Sequence, residues 1–239
     1  MEAAVETVDV YKRYGSTIAL KGVTLKLEAR GLHVILGPNG SGKSTLLSII
    51  AGAEKPDRGS VRVLGLDPWR ESSKLSKRIS ALLDKTNIYP WATGLELLKL
   101  QAAARGLDWS SVEEIASRLG VTGFWGKPFI SYSSGMRRRL LIALALAGSP
   151  ELVVLDEPFQ ALDRGAAEEV SKLVVEAYRR GSTVIVATHI VNRVILEHAR
   201  TVTLMEDGRV AAHGEKVEVG SLGDYMEVGV KCVLEPRPS

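Results

Sequence analysis

With 239 residues, and 31 Lys and Arg against 28 Asp and Glu, the chain has room for one large domain or for a domain with an inserted lobe. Its formal charge of +3 gives no overall signal for nucleic acid or for an anionic membrane surface. The single cysteine, Cys232, excludes an intrachain disulfide and a cysteine metal cluster, and the start "MEAAVETVDV" lacks the basic and apolar regions of a secretory signal, so a reduced, cytoplasmic setting is expected.

From the start, "VETVDVYKRY", "TIALKGVTLKLEA" and "HVILG" alternate or are rich in β-branched residues and read as strands. "GPNGSGKST", residues 37–45, follows the third of these and opens the apolar helix "STLLSIIAG". That strand, loop and helix context is the one a phosphate-binding P-loop requires. Gly37, Gly40 and Gly42 can take positive φ and, with Pro38, Asn39 and Ser41, let backbone N–H groups close round phosphates. Lys43 would put its charge on the β- and γ-phosphates, Ser44 would ligate Mg²⁺, and the helix start at Ser44 and Thr45 favours an anion.

"SVRVLG" and "RISALL" are the next predicted strands. After them, residues 84–150 read as helical, through "LELLKLQAAARGL" and "SSVEEIASRLG", with no convincing strand, as expected of a helical lobe inserted in an α/β core. This stretch ends in "YSSGMRRRLLIALALAG", residues 132–148. Its uncharged run from Leu140 to Gly148 is about nine residues, too short for the roughly 20 that span a bilayer. Leucines and Ile142 around every side, with Ala143, Ala145 and Ala147 between them, describe a helix buried in protein. Successive helical residues lie about 100° apart, so Arg137, Arg138 and Arg139 cannot all face one groove and are expected on solvated faces.

"LVVLDEP" is a nearly continuous apolar strand that ends in Asp156 and Glu157, and acids at the carboxyl end of a parallel strand lie in the crevice where such folds bind ligands. Asp156 can hold Mg²⁺, and Glu157 can act on an attacking water as general base. "STVIVATH" ends similarly at His189, which can bond a γ-phosphate or the water. "RTVTLMEDGRVAAHG" reads as a hairpin turning at 206–209, and the residues after 220 form a short tail.

Taken in order, the P-loop, the lobe, "YSSGM", "LVVLDEP", "ALD" and "TH" resemble the nucleotide-binding subunit of an ABC transporter, of exporter type, over nearly the whole chain. The resemblance implies a P-loop NTPase core with a mostly parallel central sheet, an antiparallel β subdomain and the inserted lobe. Residues 1–220 would be the cassette and 221–239 a tail. It implies an ATPase using ATP and Mg²⁺ on the cytoplasmic face of a membrane. Its partners would be a transmembrane permease subunit and, in an ATP-dependent homodimer or heterodimer, a similar cassette, with no nucleic acid.

By the family pattern Tyr14 stacks on adenine. Ser133 and Gly135, in the signature tract, bind the γ-phosphate held by the opposite subunit's P-loop. Asp163 belongs to the loop that crosses the dimer interface, and Thr188 and His189 to the switch region. Two departures stand out. Tyr132, Ser134 and Met136 replace three residues of the usual Leu-Ser-Gly-Gly-Gln, and Asp84 takes the place of a glutamine that contacts Mg²⁺. Apolar residues Tyr89, Pro90 and Trp91 would face a membrane-subunit helix or pack within the lobe. The alternatives are an importer subunit and a soluble ATPase acting on nucleic acid or ribosomes. The latter usually carries a long coiled-coil insertion or a second cassette, for which 239 residues leave no room.

Overall fold

The computed structural model describes residues 2–83, 88–215 and 231–232. In chain order the elements are β1 (Ala3–Tyr14), β2 (Thr17–Glu28), β3 (Leu32–Leu36), α1 (Lys43–Ile50), β4 (Arg58–Val63), α2 (Ser72–Leu75) and β5 (Ile79–Leu82). Then come α3 (Gly94–Arg105), α4 (Trp109–Arg118), α5 (Ser134–Leu146), β6 (Leu152–Asp156), α6 (Arg164–Arg179), β7 (Thr183–Thr188) and β8 (Ile190–Val191). The last are α7 (Arg193–His198), β9 (Thr201–Glu206), β10 (Arg209–Glu215) and β11 (Lys231–Cys232).

The central sheet has the order β10-β9-β3-β7-β6-β5 and is parallel from β9 to β5. Every residue of β3, β6 and β7 is buried, as continuous apolar strands covered on both faces must be. Alternation of side chains across each strand divides the core in two. Val34, Leu36, Val153, Leu155, Val184 and Val186 join Leu140 of α5 and Val170 of α6. Ile35, Val154 and Ile185 instead meet Leu46, Leu47 and Ile50 of α1. A separate antiparallel sheet, β2-β1-β4, closes over the α1 side.

At the sheet edge β9 and β10 form the expected hairpin, in which Asp207 and Gly208 both have positive φ (45° and 75°), the requirement of a type I′ turn. Helix α3 begins at a reciprocal cap in which the Thr93 hydroxyl accepts from the Glu96 N–H and Glu96 accepts from the Thr93 N–H. It stops at Gly106, whose φ of 65° suits glycine. The strand-by-strand reading of the sequence passes over α6, whose buried Val170, Leu173, Val174 and Ala177 recur at helical spacing beneath a cap from Asp163. It also lacks the short parallel pair of β8 with β11.

His33 lies wholly buried in β3, its Nε2–H donating to the Glu28 carbonyl at 2.8 Å while Nδ1 stands 2.8 Å from the Thr201 hydroxyl. Burial pushes its pKa down to about 4, against the opposing effect of the Glu28 bond. The unfolded chain therefore takes up this proton first, and stability falls as the pH drops from about 6.5 towards 4. Between pH 7 and pH 5 the loss from this residue should be about 2 kcal/mol. Urea titrations of the chain and of His33→Gln at both pH values check this, because the pH dependence of the two should differ by that amount; equal dependence would contradict it.

Candidate active site

The register of the parallel sheet sets Leu36 beside Thr188, and Asp156 beside Ala187, so the loops leaving β3, β6 and β7 open at one edge. The loop after β3 is held tightly. A Cβ on Gly37 would stand 2.2 Å from the Met205 carbonyl, and one on Gly42, at φ 99°, would stand 2.6 Å from the Ala19 carbonyl. Only glycine fits at either position. The Ser41 N–H donates to the Pro38 carbonyl at 3.2 Å, and the Ser41 carbonyl accepts from the Gly208 N–H at 3.1 Å, so the loop rests on the β9–β10 hairpin.

Lys43 is 5% exposed, and its ammonium donates to the carbonyls of Gly37 and Pro38 at 2.8 and 2.9 Å, 3.9 Å from Glu157 Oε1. Burial lowers its pKa, an effect the neighbouring Glu157 and Asp156 carboxylates oppose. The Ser41 hydroxyl is buried with no hydrogen-bond partner among the described residues.

Asp156 ends β6 and is buried, while Glu157 turns out of the sheet with φ 47°, an uncommon conformation for a residue with a side chain. Its carboxylate accepts from the Thr188 hydroxyl at 3.0 Å, from the His189 N–H at 3.1 Å and from His189 Nδ1–H at 2.8 Å. Glu157 and the Thr188–His189 pair, which the sequence offers separately, are thus one bonded group, with Glu157 facing Lys43.

A cavity of about 560 Å³ opens beside Lys43 and Glu157, a size suited to a nucleotide; Thr188 and His189 stand behind Glu157 and are not among its lining residues. Asn39, Gly40, Gly42, Lys43, Ser44 and Thr45 form its floor, with Asp156 and Glu157 on one side. Tyr14 stands at its rim, its hydroxyl bonded to Glu54 and its pKa pushed up to about 12 by burial and then by that bond. Thr17, Ile18 and Ala19 of β2, Gln160, and the Asp207–Gly208 turn complete the wall. The sequence reading misses this second group, because only the fold brings it there: the Lys21 N–H donates to the Gly208 carbonyl at 2.8 Å and the Lys21 ammonium pairs with Asp207 at 2.6 Å.

Ser133 and Gly135 do not line this cavity. Ser133 caps α5, its exposed hydroxyl accepting from the Met136 N–H at 3.2 Å. A Cβ on Gly135 would stand 2.9 Å from the carbonyl of Ala161, itself at φ 62°. Tyr132, only 4% exposed, has a role no sequence signal announces. Its hydroxyl accepts from the Gly94 N–H at 3.2 Å and donates to the Phe124 carbonyl at 3.1 Å, tying the start of α3 to that of α5.

The three arginines diverge, as helix geometry requires, yet none is merely solvated. Arg137 donates to the Tyr132 and Ile130 carbonyls and lies over the Phe129 ring. Arg138 donates to the Asp156 carbonyl and to Gln160, and Arg139 pairs with Asp163. Asp84 lies outside the described residues.

Among the described residues no cluster of three His, Cys, Asp or Glu could hold a metal alone. The hydroxyl of Ser44 in the cavity floor and the carboxylate of Asp156 at its side instead suit Mg²⁺, which takes one or two protein oxygens and completes its shell with phosphates and water.

A family model described as "ABC transporter" matches residues 20–160. The daunorubicin/doxorubicin resistance ATP-binding protein DrrA of Streptomyces peucetius is 34% identical over 229 residues, 93% of this chain and 69% of that protein. The energy-coupling factor transporter ATP-binding protein EcfA of Methanocaldococcus jannaschii is 34% identical over 227 residues, 91% of this chain and 81% of that protein. The dimeric structure of MJ0796, a bacterial ABC transporter cassette, matches with a TM-score of 0.78 at 27% identity, covering 90% of this chain and 99% of that one.

Proposed function

Because the chain belongs to the ABC transporter family of ATP-binding subunits, we propose that it powers an exporter, binding and hydrolysing ATP on the cytoplasmic face of a membrane crossed by separate permease subunits. No helix among the described residues is long and apolar enough to cross a membrane, which agrees with that division of labour. Export is favoured by the similarity to a resistance protein, although 32% identity over 225 residues to the sulfate/thiosulfate import ATP-binding protein CysA of Mycolicibacterium paratuberculosis keeps import as the second reading. Residues 1–220 act as the cassette, with 84–150 as its lobe. Tyr89 and Trp91, 69% and 64% exposed, are offered to a permease helix.

The observation that carries the reading is the bonded group of Glu157, Thr188 and His189 facing Lys43 over the loop 37–45. Tyr14 packs against the adenine. Backbone N–H groups of the loop and the Lys43 ammonium neutralise the β- and γ-phosphates. Ser44 and Asp156 would hold Mg²⁺, with Asp84 as a further oxygen donor, and the ion would supply positive charge to the phosphate oxygens. Glu157 takes the proton of the water that attacks the γ-phosphorus, and the bond to the β-bridging oxygen breaks to give ADP and phosphate. His189 fixes the carboxylate through Nδ1–H, leaving its other ring nitrogen for the γ-phosphate. Ser133, Gly135 and the start of α5 complete the site on a second cassette.

Lys43→Ala tests the floor of this site. A charge-assisted contact contributes about 1.5–3 kcal/mol, so ATP affinity measured by calorimetry should fall by about tenfold to a hundredfold. Unchanged affinity would overturn the assignment of the loop.

A further inference from the structure

The turn that carries Glu157 is strained and is spanned from outside by one side chain. Asp156 is the last residue of β6, Glu157 sits at φ 47°, and the Gln160 N–H closes the turn on the Glu157 carbonyl at 3.1 Å. Arg138, from the second turn of α5, donates to the Asp156 carbonyl at 3.2 Å through one terminal nitrogen and to the side-chain oxygen of Gln160 at 3.0 Å through the other. One planar guanidinium thus grips both ends of the segment 156–160, a geometry that a flexible ammonium cannot reproduce. The same helix begins at Ser133, and Gln160 also lines the nucleotide cavity.

We propose that Arg138 is a positioning residue for hydrolysis, holding the Glu157 turn in register with the helix start that this chain presents to a partner. The proposal rests on the reading of Glu157 as the base. A non-glycine residue in the left-handed region persists only where its surroundings over-determine it. Besides Arg138, the Glu157 N–H bond to the Ala187 carbonyl at 2.8 Å and the closure by Gln160 do so here. Without the guanidinium the turn keeps the Ala187 bond but loses its tie to α5, so the carboxylate is held less well while the P-loop is untouched.

Arg138→Met keeps the apolar stem and removes every donor. Its kcat for ATP should fall by about tenfold to a hundredfold, the cost of a misplaced catalytic group. KM for ATP should change by less than about threefold, the pattern of an interaction that acts on the transition state alone. Gln160→Met should lower kcat less, and the double variant should be no slower than Arg138→Met, since both changes break one brace. Arg138→Lys, which can reach only one acceptor at a time, should fall between Arg138→Met and the natural chain, and it carries the test if Arg138→Met does not fold. Multiplicative losses in the double variant, an unchanged kcat in Arg138→Met, or a rise in KM that accounts for the loss would each overturn the proposal. Glu157→Gln measured in parallel separates the two ideas. If Glu157→Gln is inactive and Arg138→Met is not impaired, only the brace fails, whereas a fully active Glu157→Gln removes the reading on which it rests.

Discussion

Glu157→Gln is expected to slow ATP hydrolysis by about 10²–10⁴-fold, the contribution of a positioned general base, while ATP binding stays intact. The structure shows why the variant keeps its shape. The carboxylate meets an N–H and a ring N–H from His189 and a hydroxyl from Thr188. An amide can turn its oxygen to the two His189 donors and its NH₂ to the Thr188 hydroxyl, which can rotate to accept. The basic lone pair is lost, and with the charge the 3.9 Å ion pair to Lys43. Phosphate release at saturating ATP, beside equilibrium ATP binding, measures both halves of the expectation. A variant turning over at the natural rate would pass the role of base to His189.

Ser133→Asp, introduced into the Glu157→Gln chain, should weaken ATP-dependent pairing of chains by about 10²-fold or more, because like charges brought together at an interface cost several kcal/mol. The choice of residue follows from the local geometry. Adding a side chain at Gly135 would press on the Ala161 carbonyl, only 2.9 Å from the new Cβ, and would confuse a steric effect with an electrostatic one. Ser133 instead is exposed and serves as the cap of α5. Aspartate caps helices as well as serine does, so α5 should remain in place while its start acquires a negative charge. Monomer ATP affinity should be unchanged, since Ser133 lies away from the chain's own nucleotide cavity. Retained pairing, followed by sedimentation velocity with ATP and Mg²⁺, would mean that Ser133 caps a helix and does nothing more.

What the sequence revealed was whatever is encoded locally. Gly40 and Gly42 at positive φ ahead of Lys43, buried strands ending in Asp156 and Thr188, and the Asp207–Gly208 turn each carry their reason in a few adjacent residues. The long-range pieces were not legible. Nothing near Ala19 or Gly208 says that their backbones pack against the P-loop, and Gln160 reads as a loop residue until Arg138 and the cavity are found on either side of it. The arginine run shows the limit most clearly. Helical spacing correctly excluded a common groove, but expected solvent where tertiary structure supplied the Tyr132 carbonyl, the Asp156 carbonyl and Asp163 as partners. Likewise Tyr132 stood out only as a departure from a family pattern, although its hydroxyl bridges Gly94 and Phe124.

We propose that the start of α5 from a second copy of this chain completes the site on loop 37–45, with ATP between them. Light scattering on Glu157→Gln, which retains ATP, tests it most directly when the mass is measured with ATP and Mg²⁺ and again with ADP and Mg²⁺. Twice the mass of one chain is expected with ATP and the mass of one chain with ADP; a chain saturated with ATP that keeps the mass of one chain would rule the shared site out.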